Sequence, residues 1–468
     1  MTELEQEIAL NKNGWSTRLQ AFCTCRSLMT FPLILLWSVS LSADPPLPAL
    51  DGQQRAGVAT CANSKCHDAE RPWQTSKILQ NEYRTWTEYS THAESYNVLK
   101  SPLGKQIGTY LKIDPLVSAQ CLDCHTDNVP AAQRSKSFRL EDGVGCEACH
   151  GGAAPWIENH VSMSGSRGDY LKAGLYPTEF PIPRAQLCLS CHLGTDTKFV
   201  DHRLLAAGHP RLVFELDTFF VNMPLHHRVD QDYAFRKAPP SNAGFWITGQ
   251  IIAARRWLSL FGDNHRRLAG ILLEPAFQDC YGCHSVVRPG KGSAQQRTAL
   301  RLDIAHLRML DVLFADRELK TAIAALEAAL GQNLDALSTA TRRLERLLAA
   351  PRFQPANPDA AATDAILQRM LTAAAGNTFR NYIEAEQATM AIASMLRTLD
   401  ADGRLTAELE KLYDATNKPE AFSRTSFSQA AHALRIARNN ASNRSSSSTS
   451  TRNQASASNS PSRNTQHD

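Results

Sequence analysis

Residues 142–152 read Asp142-Gly143-Val144-Gly145-Cys146-Glu147-Ala148-Cys149-His150-Gly151-Gly152. Two cysteines three positions apart leave one short turn, and a histidine follows the second directly. Three other stretches repeat this spacing: Cys121-Leu122-Asp123-Cys124-His125, Cys188-Leu189-Ser190-Cys191-His192 and Cys280-Tyr281-Gly282-Cys283-His284. A fifth pair is wider, Cys61-Ala62-Asn63-Ser64-Lys65-Cys66-His67, so two extra residues must loop out between its thiols. Histidine is only 15 of 468 residues, so a histidine after every one of five pairs is not a chance pattern.

The spacing has a chemical reason. Two thiols add across the two vinyl groups of one haem, and the histidine that follows reaches the iron as proximal ligand. Five pairs therefore predict five haem c groups, attached through Cys61, Cys66, Cys121, Cys124, Cys146, Cys149, Cys188, Cys191, Cys280 and Cys283. The proximal ligands are then His67, His125, His150, His192 and His284. Zinc would pair the pairs and gives no role to five following histidines. Disulfides across C-x-x-C are strained and belong to redox enzymes with a single such motif.

The chain has 12 cysteines. The two outside the pairs, Cys23 and Cys25, fall in an N-terminal segment that reads as an address. Arg18 and Arg26 precede a short apolar run at 28–41, broken by Pro32 and followed by Ser42-Ala43. That pattern predicts a signal peptide over 1–43 and a periplasmic or extracellular protein, with an uncleaved anchor as the alternative. Covalent haem attachment also belongs to the outer side of the membrane.

Around the motifs the chain resembles the multihaem cytochrome c-552/c-554 family. The resemblance rests on Asp142–Gly152 with His160 downstream and on Trp86…Ser90-Thr91-His92, and spans roughly residues 55–285. It departs from that tetrahaem pattern in its fifth site and its wide first pair. The bis-histidine ligation that the resemblance implies makes His92 and His160 distal ligands, with His202, His209 and His226 as further candidates and His227 and His265 behind them. Neither the pairing of ligand with iron nor an open, five-coordinate haem is decided by sequence.

The resemblance and the haem density together imply a mainly α fold, with short helices and irregular turns around stacked haems, followed by a C-terminal helical bundle. The expected divisions are 1–43 signal peptide, 44–297 pentahaem domain, 298–437 bundle and 438–468 disordered tail. The bundle reading rests on apolar residues at helical spacing: Ile304, Leu307 and Leu310, then Leu319, Ile323 and Leu326, with Gly331 as a stop. Its histidines, His306 and His432, read as structural, although His306 is within reach of the last haem. From Asn439 onward Ser and Asn dominate and no large apolar residue occurs, which predicts disorder.

The formal charge of +4 is too small to mark a nucleic-acid binder. Ten haem propionates against five ferric cores would turn the exported protein neutral to acidic. The leading functional expectation is an electron carrier between a donor and an acceptor redox protein, with peripheral association at a membrane redox complex as a further expectation. The alternative is an oxidoreductase acting on nitrite, hydroxylamine or tetrathionate at one open haem. No Cys-x-x-Cys-Lys motif of the haem nitrite reductases is present.

Overall fold

Helices in the motif region are short because the chain turns wherever a Cys-His motif must present its side chains. The computed structural model describes residues 45–74, 78–237, 239–267, 273–281, 301–400 and 402–457. Up to the last motif its helices are α1 (Val58–Cys61), α2 (Glu82–Tyr89), α3 (Pro102–Leu111), α4 (Ala119–His125), α5 (Cys146–His150), α6 (Ile157–Val161), α7 (Arg167–Lys172), α8 (Pro181–His192), α9 (His202–Ala206), α10 (Leu216–Asn222), α11 (Gln231–Lys237) and α12 (Asn242–Arg267). Three of them, α4, α5 and α8, end on the motif histidine itself. Among the described residues β pairing is limited to two isolated bridges, Arg55 with Arg134 and Gln278 with Leu302.

Buried polar side chains stitch the irregular part together. Glu147, inside the third motif, accepts from the backbone N–H groups of Ala56 at 2.8 Å, Gly57 at 2.7 Å and Ala153 at 2.8 Å. It thereby ties the chain entering the first motif to the third. Arg55, fully buried, pairs with Asp51 and Asp127, each at 2.9 Å. Gly143 has φ +69°, and a Cβ there would meet the His92 carbonyl at 2.7 Å. Only glycine lets the chain pass that close to the His92 turn.

The bundle comprises α13 (Ala305–Phe314), α14 (Arg317–Ala329), α15 (Leu334–Leu348), α16 (Ala360–Ala375), α17 (Tyr382–Leu399), α18 (Thr406–Asp414) and α19 (Arg424–Ala457). Asp316, Asn333, Asp359 and Asn381 cap four of these helices through their side-chain oxygens, worth about 1 kcal/mol each. The anticipated stripes are buried: Leu307, Leu310, Leu319, Ile323 and Leu326 all lie in one core.

That core does not respect the division expected at 297/298. Helix α12, from the haem side of it, packs on α13, α15 and α17, and Trp246, Ile251, Leu258 and Phe261 are among the most deeply buried residues of the shared core. A helix apolar on most of its circumference must be enclosed. The backbone of 438–457 continues α19, since each residue added to a formed helix gains a hydrogen bond, and no proline intervenes before Pro461. Residues 458–468 and the expected signal peptide, 1–43, lie outside the described residues.

Candidate functional site

Each of four motif histidines faces one histidine from outside the motifs. Ring centres are 6.1 Å apart for His67 and His160, 6.2 Å for His92 and His192, 6.4 Å for His125 and His209, and 6.2 Å for His150 and His226. Two imidazoles sharing one metal need nearly this separation. A metal–nitrogen bond of about 2.0 Å plus about 1.1 Å from nitrogen to ring centre, counted on both sides, gives about 6.2 Å. All four spacings fall within a few tenths of an ångström of that value.

The pairing crosses the order of the sequence. His92 precedes the second motif yet faces the fourth, and His160 follows the third motif yet faces the first. Helix α2 stops at Tyr89, three residues short of His92. Ser90 is extended, and its hydroxyl accepts from the His92 N–H at 3.3 Å. His92 therefore sits in a turn beside Gly143.

Second partners orient several of these rings. His67 Nδ1 lies 2.9 Å from Glu82 Oε2, His125 Nδ1 2.8 Å from the Ser95 carbonyl, and His209 Nδ1 2.8 Å from the Pro210 carbonyl. A ring nitrogen tied in this way leaves Nε2 free to bind a metal. Burial holds the other imidazoles neutral. His150 is pushed down to about 3 by burial and then by His226, and burial also lowers His92, His160, His192, His209 and His226. The Glu82 hydrogen bond instead raises His67. Burial pushes the Cys149 thiol up to about 12 and Cys188 to about 11.

Thiol contacts set the spatial order of the motifs. The Cys61 and Cys146 side chains lie within interaction range of each other, as do those of Cys124 and Cys191. Cys149 lies within electrostatic range of Cys188 and Cys191. The first motif thus neighbours the third, the third the fourth, and the fourth the second. Beyond the second, Arg211 lies two residues past His209 and interacts with Tyr281 and Cys280 of the fifth motif.

Cys280 and Tyr281 are described, whereas Cys283 and His284 lie outside the described residues, as does the side chain of His265. His202 has no facing imidazole among the described residues. Its N–H donates to Glu274 at 2.7 Å, and α9 packs on the turn Pro275–Phe277 that leads to Cys280. His306 is inside the bundle, its Nδ1 2.9 Å from Gln250 Oε1.

The donor set fits haem rather than a caged ion. Among the described residues no three metal-binding side chains converge; a haem iron asks only for two axial ligands. Among the described residues, three buried side-chain nitrogens beside the ring pairs also have no partner: Trp156 Nε1, Arg184 Nη1 and His227 Nε2. Trp156 stands edge-on to His160 at 5.7 Å, and His227 touches His226 at 5.7 Å. Buried unpaired polar groups are costly, and haem propionates would supply acceptors of the right charge for Arg184. Of these residues only His227 stands out in the sequence, as a weaker distal candidate; no spacing rule points to Glu82, Trp156 or Arg184.

Residues 60–151 match the family described as cytochrome c554 and c-prime. This supports a multihaem c-type cytochrome resembling the c-552/c-554 family. The match covers well under half of the chain, and it takes in the first three motifs and His92. No curated protein and no solved structure matches. The family match supports a c-type cytochrome working in electron transfer or redox chemistry, with haem c as its cofactor. No described helix is long and apolar enough to cross a membrane.

Proposed function

We propose that this chain is an exported pentahaem cytochrome that passes electrons between two redox proteins. The observation that carries the reading is the set of four imidazole pairs at 6.1–6.4 Å, each joining one motif histidine to one distant histidine. In this reading His67 and His160, His125 and His209, His150 and His226, and His192 and His92 hold four haems. A fifth is attached at Cys280 and Cys283, with His284 proximal and His202 as its distal ligand, beside the turn that leads to Cys280. Haem supplies reversible one-electron chemistry, and two imidazoles per iron support both oxidation states.

Electrons then travel in the spatial order of the motifs: first, third, fourth, second and fifth. The short helices set that order, while Glu147 keeps the first and third motifs together and Arg55 ties the approach to the first motif to Asp127, just past the second. The bundle, sharing its core with α12, fixes the fourth-motif helix α8, which packs directly on α12. Donor and acceptor proteins dock at the two ends of this series, in the periplasm or outside the cell.

Intact mass of the purified holoprotein, combined with a spectroscopically monitored redox titration, tests the proposal. Five haems of added mass and five reversible one-electron steps are expected. An unmodified polypeptide mass would overturn the reading.

A further inference from the structure

The four imidazole pairs are not equivalent, and the first motif differs from the other three in the group behind its proximal histidine and in the exposure of its distal one. His67 is the only motif histidine, among the described residues, whose Nδ1 meets a carboxylate, Glu82 at 2.9 Å. That carboxylate is itself held, accepting the Gln80 N–H at 3.1 Å on its other oxygen. A carboxylate on the far nitrogen makes an imidazole a stronger donor to its metal, and a stronger donor on one side weakens the bond on the other.

The opposite side is weakly supported. His160 is exposed, whereas His92, His209 and His226 are half-buried. It rides on α6, five residues long, and is followed by exposed Val161 and an exposed Met163 whose φ is +53°. No side-chain hydrogen bond to His160 occurs among the described residues. Short exposed segments of this kind open at little cost.

A receiving group is also present. Trp156 Nε1 is buried without a partner, on a ring edge-on to His160 at 5.7 Å. Tyr170 closes the other side of His160, its ring at 5.6 Å and its hydroxyl donating to the carbonyls of Asn159 and Gly165. An indole N–H here would donate to the outer atom of a small ligand standing where the His160 ring now stands.

We infer that His160 is an exchangeable ligand, and that the first motif is where a small exogenous ligand of the nitric oxide or carbon monoxide class binds. The inference rests on the haem ligation proposed above. In the exchange the His160 nitrogen–iron bond breaks, the ligand takes the iron with its own lone pair, and no electron or proton is transferred.

Carbon monoxide added to the reduced, full-length holoprotein is the test, read by difference spectra, stoichiometry and rapid mixing. One carbon monoxide per chain is expected, at a rate that levels off with concentration because His160 must leave first. His160→Ala should bind at least about tenfold faster and without that plateau, since its binding-competent fraction rises to unity. Trp156→Phe should keep the stoichiometry and shift the carbon–oxygen stretch. Haem content and the absorbance of the remaining low-spin haems report that each variant has folded. Wild-type protein that binds no carbon monoxide would overturn the inference. So would binding whose rate and stretch are unchanged in both variants, since the site would then lie elsewhere. Either result leaves the haem count and the redox titration untouched, and so is distinguishable from failure of the proposed electron carrier.

Discussion

The rings of His67 and His160 are parallel to within 4°, while the other three facing pairs are crossed at 74°, 81° and 89°. Axial imidazole planes set the splitting of the iron orbitals they overlap. Parallel planes separate those orbitals, and perpendicular planes leave them nearly equal in energy. The oxidised holoprotein should therefore give one rhombic low-spin paramagnetic resonance signal beside several with a single, strongly shifted low-field feature. His160→Ala should remove the rhombic signal alone. A spectrum with one class of low-spin haem would contradict these ring orientations.

The Glu82 carboxylate should hold the first haem at a low potential by favouring its ferric form. Glu82→Gln keeps the hydrogen-bonding shape and removes the charge. A loss worth one pKa unit corresponds to an upward shift on the order of 60 mV for a one-electron couple. Potentiometry followed at the rhombic signal reads this shift, with the other potentials staying in place. A uniform movement of all the potentials, or none, would count against it.

Glu147 should matter to the fold rather than to any potential. Its carboxylate serves three buried backbone N–H groups of Ala56, Gly57 and Ala153. Glu147→Ala leaves all three unpaired, at roughly 1–3 kcal/mol for each lost partner before relaxation. Denaturant unfolding should show a clear loss of stability, and haem incorporation at the first motif should fall. Glu147→Gln, keeping one acceptor oxygen, should lie between.

Glu215 gives a dependence on pH. It is fully buried at the start of α10, where burial and then Asp217 push its pKa up to about 7. An acid whose folded pKa lies above its unfolded value favours the folded state when protonated. Its stabilising contribution is therefore complete below about pH 4.5 and is lost as pH rises towards 7. Glu215→Gln should flatten that part of the stability curve, measured by unfolding midpoints between pH 4.5 and 7.5. A wild-type curve without a fall in this window would contradict the assignment.

The cysteine pairs and their histidines could be read from sequence because haem attachment is local: both thiols and the proximal imidazole come from one turn. Facing imidazoles are a tertiary matter. His92, His160, His209 and His226 could be singled out, but their partners could not, since the chain folds back between motifs and joins His92 to His192. Glu82 follows His67 by 15 residues and carries no signature of its role. The division at 297/298 separates the last motif from the apolar stripes that follow it, yet α12 already lies in the bundle core. A change of sequence pattern says nothing of which core a neighbouring helix joins.

Anomalous diffraction at the iron edge, from crystals of the oxidised holoprotein, tests the central claim most directly. The account predicts five iron peaks per chain, four of them midway between His67 and His160, His92 and His192, His125 and His209, and His150 and His226. More than one iron peak away from these midpoints, or a pair of rings with no iron between them, would contradict it.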